Sequence, residues 1–479
     1  MAAKLEQELR LRVAPREAQS LLDQPVLGAY AAGAPQQQRL VTTYYDTASD
    51  SLARAGIALR VRVDGTQRVQ TIKGPPHARS GASLAARAEY EWPLRTADPD
   101  LQLAAETPWR ARIATAQSKG LLQRFATRIT RTTLPLRWPD GTQATLCIDR
   151  GVIDTAMLQE PVCEIEIELD HGDIRPLFDL ALALASTAPM AIEPRTKAAR
   201  AFALLHREPS EPVRATPIPL ARAVNAGHAL ATILRNCVQQ LEGNADGLRG
   251  HDDPEWVHQM RVATRRLRAC LALMRRAARS PTWDTVSDDA RWLARMLGNA
   301  RDCDVVATQT LPRAAQAIGN GANAPLQRLR EATEAHRVQA REAARNAVAS
   351  GRFTHLVLNA GALAAALDAI DDPAHPLGQD ATAWARVVLD RRHRKLMRRG
   401  AHLRKASVER RHAVRLAAKR TRYAVEFVTA LFPERKDDAR QYRRALSRLQ
   451  DILGTMNDAH VALRLAEEMN NANDLPITA

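Results

Sequence analysis

The sequence predicts an α+β protein, in which a strand-rich N-terminal half is followed by an all-helical C-terminal half. Polar and apolar residues alternate in short runs up to about residue 205, whereas helical periodicity and an internal repeat begin beyond residue 220. Four prolines lie between residues 209 and 219, which is typical of a stiff linker. We therefore expect a first domain over 1–206, a linker over 207–219, and a helical domain over 220–468 whose two repeats span about 220–370 and 375–468.

Eight runs in the N-terminal half have the residue types and length of β-strands, and turn residues such as Asp64-Gly65 and Asp140-Gly141 separate many of them. The runs are Leu5–Val13, Leu40–Tyr45, Ile57–Val63, Val69–Lys73, Arg87–Leu94, Phe125–Leu136, Ala144–Asp149 and Val162–Leu169.

Charged side chains occupy alternate positions in several of these strands, so they share a face. The first run carries Glu6 and Glu8, and the last carries Glu164, Glu166 and Glu168. The like charges of such a row repel one another unless water screens them or bound cations neutralise them. Other strands offer mainly cations: Arg60 with Arg62, Thr71 with Lys73, Arg87 with two glutamates, and Arg128 and Arg131, whose odd spacing requires a bulge or puts only one inside. A solvated sheet face and a charged barrel lumen both remain open here, and the second would hold phosphate by Arg and Lys and divalent cations by carboxylates.

The composition limits which binding partners and which cellular compartment are expected. A formal net charge of +16 over 479 residues favours a polyanion, which could be nucleic acid, polyphosphate or an anionic membrane surface. Only 4% of residues are aromatic and no base-reading motif occurs, which argues against nucleic acid. Five scattered cysteines without a C-x-x-C pair indicate reduced thiols in the cytoplasm and argue against a zinc site. No leader peptide and no apolar run near twenty residues is found, so no membrane span is expected.

The helical half repeats a basic motif at an offset of 154 residues. Steps of three and four residues place each copy on one helical face, and like charges at this spacing are mutually unfavourable. A solvated basic face and a polyanion-binding face are both compatible with the pattern, and its occurrence twice favours the polyanion. The two copies are His258, Arg261, Arg265 and Arg268, and His412, Arg415, Lys419 and Arg422. Leu-Gly blocks follow them and include Asp302 and Asp458, for which we expect a structural role beside the arginines.

The N-terminal motifs resemble the CYTH domains, also called triphosphate tunnel metalloenzymes, over about residues 3–205. Their ordered set carries the resemblance: Glu6-Gln-Glu-Leu-Arg10, Tyr44-Tyr-Asp-Thr47, Leu59-Arg-Val-Arg62, Thr71-Ile-Lys73, Arg87-Ala-Glu-Tyr-Glu91, Cys163-Glu-Ile-Glu-Ile-Glu-Leu169 and Thr196-Lys-Ala-Ala-Arg200. The resemblance implies a closed tunnel of eight antiparallel strands that binds triphosphate with Mg²⁺ or Mn²⁺ and hydrolyses it. A metal-activated water suits this chemistry, since phosphoryl transfer requires positioning and charge neutralisation more than a covalent nucleophile.

The resemblance also implies a role for each matching residue. The metal ligands would be Glu6, Glu8, Glu164, Glu166 and Glu168, and triphosphate would bind Arg10, Arg60, Arg62, Lys73, Arg87, Arg128, Lys197 and Arg200. Arg10 stands where the signature has lysine; it keeps the charge but cannot give up a proton. We expect an inorganic triphosphatase, and the alternatives are thiamine triphosphate or a nucleotide as substrate.

The two helical motifs resemble the CHAD, or conserved histidine α-helical, domain over about residues 220–468. This family binds inorganic polyphosphate on a basic surface formed by two helical bundles, which implies that the eight motif residues line such a surface. Residues Arg391–Arg399 would add flanking charge or form a solvated face. The protein would then act in the cytoplasm at polyphosphate granules, either as a triphosphatase or as a granule tether without activity.

Overall fold

The computed structural model describes residues 4–77, 80–81, 83–318, 324–403 and 406–453. The chain divides into two compact units, one made of Met1–Glu211 with Val357–Ala365 and the other of Pro212–Leu356 with Ala366–Ala479. This division falls inside the predicted linker, and residues 208–220 have no regular secondary structure. The domain bounds themselves stay a prediction. Among the described helices, none combines the length and the apolarity that a bilayer span requires.

The first unit is a closed barrel of eight antiparallel strands, as expected. Its strands follow the order β5-β4-β3-β2-β6-β7-β8-β1, and β1 also pairs with β5, which closes the sheet. A short ninth strand adds to the end of β1. All eight predicted runs overlap these strands, which are β1 Lys4–Val13, β2 Gln36–Thr47, β3 Ala58–Asp64, β4 Gln67–Pro76, β5 Leu84–Pro93, β6 Leu121–Arg137, β7 Gln143–Asp154, β8 Gln159–His171 and β9 Met190–Ile192.

A helix on the outside of the barrel covers the apolar faces of β1 and β8. Five helices belong to this part of the chain: α1 Pro15–Ser20, α2 Pro25–Gly28, α3 Arg110–Ser118, α4 Arg175–Thr187 and α5 Lys197–His206. Helix α4 packs on both strands. The apolar side chains Leu9, Leu11 and Ile165 are fully buried. Because the apolar face of each strand is covered from outside, the carboxylates at alternate positions point into the lumen.

Gly151 in β7 lies close against the backbone of the neighbouring strand β6. It pairs with Ile129 of β6. A Cβ atom at this position would lie 2.0 Å from the carbonyl oxygen of Arg128. Only glycine permits this backbone contact.

The helical region repeats its architecture at the offset found in the sequence. Its helices are α6 Ala226–Gly250, α7 Pro254–Met274, α8 Pro281–Val305, α9 Leu311–Ile318, α10 Ala324–Ala349, α11 Gly351–Asp368, α12 Ala381–Gly400 and α13 Val408–Val428, with a further helical stretch over 436–453. Helices α7 and α13 both begin and end 154 residues apart. Each packs against the helix before it, α6 or α12. The second Leu-Gly block, including Asp458, lies outside the described residues.

A buried arginine joins the two repeats. The side chain of Arg266 on α7 is 1% exposed. Its Nε donates to Glu426 of α13 at 3.1 Å, and its two terminal nitrogens donate to Gln240 at 3.0 Å and Asn236 at 2.7 Å, both on α6. The apolar side chains on one face of α7 are also buried, with Met260 and Leu267 fully inaccessible. Helix α7 therefore presents its other face, which carries the basic motif, away from the core.

Candidate functional site: the barrel lumen and the basic helical face

The barrel encloses a cavity of about 320 Å³ that is lined by eight cationic and seven acidic side chains. A volume of this size suits a small ligand. Ten of the residues predicted for the site line it: Glu6, Glu8, Arg10, Arg60, Arg62, Lys73, Arg87, Glu166, Glu168 and Lys197. The remaining three, Arg128, Glu164 and Arg200, lie elsewhere.

The assignment of Arg128 to the lumen is wrong, and Arg131 takes its place. Thr127, Ile129 and Arg131 line the cavity, so the odd-numbered residues of β6 face inward. The side chain of Arg128 is 60% exposed and its Nε donates to Asp154 at 3.2 Å. Inside, the Nε of Arg131 donates to Asp149 at 2.7 Å.

Glu164 and Arg200 do not line the cavity. The side chain of Glu164 is 1% exposed and accepts from Nη1 of Arg200 at 2.9 Å. Arg200 also donates to Glu160 at 2.8 Å and to the Pro161 carbonyl at 3.0 Å. With its guanidinium satisfied by β8, Arg200 holds helix α5 to the barrel instead of facing a ligand.

One wall of the lumen concentrates carboxylates. Ligand oxygens of Glu6, Glu89 and Glu168 all lie within 4.8 Å of one another. Glu8 pairs with Glu168 across the two strands that carry the acidic rows. The Nζ of Lys73 contacts Glu6 at 2.6 Å and Glu89 at 3.2 Å. Glu89 was not among the predicted ligands.

Two lysines neutralise part of this wall, since the Nζ of Lys4 contacts Glu168 at 2.7 Å in addition to the contacts of Lys73. Burial, followed by repulsion from Glu166 and Glu6, raises the pKa of Glu8 to about 8. Burial alone would also raise the pKa of Glu166, but Lys197 and Arg131 outweigh it and hold that pKa well below its usual range. Glu8 is therefore protonated at neutral pH without a bound cation, and a bound divalent cation would favour its ionised form. Clustered hard oxygen ligands of this kind fit Mg²⁺ or Mn²⁺.

A second group of carboxylates is already occupied by a side chain. Ligand oxygens of Asp149, Glu164 and Glu166 lie within 4.8 Å of one another. The Nζ of Lys197, the first residue of α5, is 2.7 Å from Asp149 Oδ2 and 2.7 Å from Glu166 Oε1, and it also contacts Glu164.

Three arginines of the lumen, on β3 and β5, have few acidic partners. Among the described residues, no carboxylate comes within ion-pair distance of Arg62 or Arg87, and Arg60 is 3.6 Å from Glu89. The buried Nε atoms of Arg10, Arg60 and Arg62 have no hydrogen-bond partner in the described part of the chain. The neighbouring Arg60, followed by burial, lowers the pKa of Arg62. Crowded cations with unused donors require an anion.

The site residues missed from the sequence are Glu89, Arg131 and Asp149. Glu89 shares an alternating face with Arg87, and that signal was visible in the sequence. Asp149 lies directly opposite Arg131 across β6 and β7, a register that the sequence does not state.

In the helical region the two basic motifs meet on one face. Burial, followed by Arg265 and Arg415, lowers the pKa of Lys419 to about 7. Alongside burial, the charge of Arg415 on α13 contributes to the lowered pKa of Arg261 on α7, so residues of the two helices interact electrostatically. Buried Nε atoms of Arg265, Arg415 and Arg422 have no hydrogen-bond partner among the described residues.

The remaining motif residues extend this face. Burial, followed by Arg301, lowers the pKa of His258, and Arg301 was not predicted as part of the face. His412 is exposed on α13. Arg268 is exposed on α7. Burial, followed by the charge of Arg420, lowers the pKa of Arg268.

Two further expectations concern the borders of the face. Arg261 lies 3.6 Å from Asp302, which confirms the expected ion pair between the motif and the Leu-Gly block. In the basic stretch of α12, burial followed by Arg420 lowers the pKa of Arg392 to about 10, so this stretch adjoins the α13 face.

Comparison with known proteins agrees with both halves. The chain matches the CYTH domain family over residues 4–202 and the CHAD domain family over residues 232–467. The CHAD domain from the plant Ricinus communis is 34% identical, and the similarity covers 55% of this chain and 86% of that one with a TM-score of 0.50. An inorganic triphosphatase of Haemophilus influenzae is 27% identical over 203 residues, which are 41% of this chain; the chain spans about half, 54%, of the length of that curated relative. The chain therefore belongs to the CHAD family through its helical region, and its N-terminal barrel matches the model of the CYTH domain family.

Proposed function

We propose that the barrel hydrolyses inorganic triphosphate with Mg²⁺ or Mn²⁺, and that the helical region binds inorganic polyphosphate. The observation that carries the first part is the presence of two groups of opposite charge type in one cavity. Arginines with few acidic partners form one group, and crowded carboxyl groups form the other. A linear polyanion neutralised by a divalent cation complements both groups at once.

On this proposal Arg60, Arg62 and Arg87 bind the phosphate oxygens, and their positions on strands keep the phosphate chain in one orientation. The carboxylates of Glu6, Glu8, Glu89 and Glu168 would hold the divalent cation. A bound cation would supply charge neutralisation and a water of lowered pKa. Arg10, on the same face of β1 as the two glutamates, adds a fixed charge that cannot act as an acid or base.

The lining of the cavity favours an unsubstituted triphosphate. Tyr44 is the sole aromatic side chain among the described residues that line it. This ring stacks on Phe125 with centroids 4.6 Å apart, and Arg60 donates to its hydroxyl at 3.4 Å. It is therefore engaged on the barrel side, and no free aromatic surface in the described lining offers a platform for a nucleobase or a thiamine ring.

Phosphate release from tripolyphosphate, ATP and thiamine triphosphate, each with Mg²⁺ and with Mn²⁺, tests this proposal on the full chain. We expect tripolyphosphate to be turned over with the highest kcat/KM. The variant Arg62→Gln/Arg87→Gln should raise KM for tripolyphosphate by at least about tenfold, because two charge-assisted contacts are lost. Turnover of none of the three would instead favour a binding protein without activity.

The second part is supported by the convergence of the α7 and α13 motifs. Burial, followed by the neighbouring Arg265 and Arg415, lowers the pKa of Lys419 to about 7, and a polyphosphate chain would supply negative charge to this group of cations. Binding would place the protein on polyphosphate granules. Its test is the affinity for long-chain polyphosphate of Arg261→Glu/Arg265→Glu, which should fall by more than about 100-fold while tripolyphosphate turnover is unchanged.

A further inference from the structure

Lys197 is surrounded by carboxylates. Its Nζ lies within ion-pair distance of Asp149, Glu164 and Glu166. It donates a hydrogen bond to Glu166 Oε1 at 2.7 Å. The ammonium group of this lumen-lining residue therefore lies among three carboxylates.

The charges of this carboxylate group are balanced locally. Arg131 contacts Asp149 at 2.6 Å and Glu166 at 2.5 Å, and Arg200 contacts Glu164 at 2.9 Å. Together with Lys197, these cations give each of the three carboxylates two cationic contacts, and Arg200 also contacts Glu160 at 2.8 Å.

We propose that Lys197 is a built-in counter-ion, which fills a three-carboxylate site that would otherwise take a divalent cation. The inference rests on the proposed function in one respect: it restricts the metal of the native barrel to the Glu6 and Glu8 wall. Asp149, Glu164 and Glu166 already offer three hard oxygen ligands close together, as Mg²⁺ and Mn²⁺ require. Removing the ammonium group leaves both the space and the uncompensated charge.

The position of Lys197 makes the substitution testable. Lys197 is the first residue of α5, and the N-cap Thr196 accepts a hydrogen bond from Ala199 N at 3.0 Å. This cap does not involve the side chain of Lys197. A change to methionine keeps the aliphatic stem and removes the charge alone.

The experiment counts Mn²⁺ ions by isothermal titration calorimetry on the full chain, without phosphate present. Compared with the wild type, Lys197→Met should bind one additional ion, and Mn²⁺ should raise its Tm more than that of the wild type. The matched control Lys197→Met/Glu164→Gln restores the charge balance and leaves two carboxylates. It should fold without metal and bind the wild-type number of ions.

Three outcomes would overturn the inference. They are a folded Lys197→Met protein that binds no additional ion, a Lys197→Met protein that stays unfolded at saturating Mn²⁺ while the double variant folds, and a double variant that itself fails to fold. The ion count also separates this inference from the proposed function. A wild type without Mn²⁺ and a Lys197→Met variant with one ion would reject metal at the Glu6 and Glu8 wall but keep the counter-ion role.

Discussion

Polyphosphate binding by the helical region should weaken as the pH rises through 7, because Lys419 loses its proton in that range. Burial and the neighbouring Arg265 and Arg415 lower its pKa from the ordinary 10.5 to about 7. The lysine is therefore charged below pH 7 and neutral above it in the free protein. A bound polyanion compensates the neighbouring cations and returns the pKa toward its ordinary value.

The size of the effect follows from proton linkage. If bound polyphosphate restores the pKa of Lys419 fully, the affinity is about tenfold lower at pH 8 than at pH 6. Binding then takes up about 0.9 proton per site at pH 8 and about 0.1 at pH 6. Partial restoration reduces both figures but keeps their sign.

Calorimetric titration with long-chain polyphosphate measures both quantities. Wild type and Lys419→Arg are compared at pH 6 and pH 8 in two buffers with different ionisation enthalpies. Arginine keeps its charge over this range. Titration of the phosphate groups and of His258 contributes to both proteins, so the difference between them isolates Lys419.

The reasoning is refuted if Lys419→Arg shows the same loss of affinity and the same proton uptake as the wild type. The pH dependence would then arise from the ligand or from another residue, and the crowding of Lys419 would have no consequence for binding.

Three further perturbations test the barrel and the helical core. Arg131→Gln should lower kcat/KM for tripolyphosphate by at least about tenfold, whereas Arg128→Gln, on the outer face, should leave it unchanged; equal effects in a kinetic assay would reject the inward assignment. Arg266→Met removes a buried cation and its hydrogen bonds to one buried and two partly buried partners, and it should cost about 3 kcal/mol or more in urea unfolding. A cost below about 1 kcal/mol would contradict the bridging role. Gly151→Ala should cost about 1–3 kcal/mol because its Cβ meets a carbonyl oxygen, whereas Gly28→Ala, with open space around it, should be neutral in the same measurement.

The sequence was sufficient to predict the strands because they carry a period-two signal. The glutamates of β1 and β8 alternate with residues such as Leu9 and Ile165. This alternation alone left a solvated sheet and a barrel lumen open, and the resemblance of the ordered motifs to the CYTH domains implied the closed barrel.

Which side chains of a long strand face the lumen could not be predicted in the same way. Arg128 and Arg131 have opposite parity, and only the pairing of Arg131 with Asp149 decides which one faces inward. The roles of Glu164 and Lys197 were equally hidden, because a motif shows the position of a charge but not its ion-pair partner.

The helical region shows the same limit. Its repeat predicted that α7 and α13 correspond, and the buried stripe of α7 followed from helical periodicity. Neighbouring arginines of one motif nevertheless lie in different environments. Arg265 lies on the basic face and Arg266 is buried in the core, where acceptors on α6 and α13 satisfy it.

Phosphate release from tripolyphosphate as a function of Mn²⁺ concentration tests the proposed metal-dependent triphosphatase activity of the barrel most directly. The full-length wild type should release phosphate only when the cation is present. Glu6→Gln/Glu8→Gln should lower the rate by more than about 100-fold at saturating tripolyphosphate, because the carboxylates proposed to hold the cation are lost. A wild type that releases phosphate equally well in the presence of a chelator, or a double variant that retains the wild-type rate, would contradict the account.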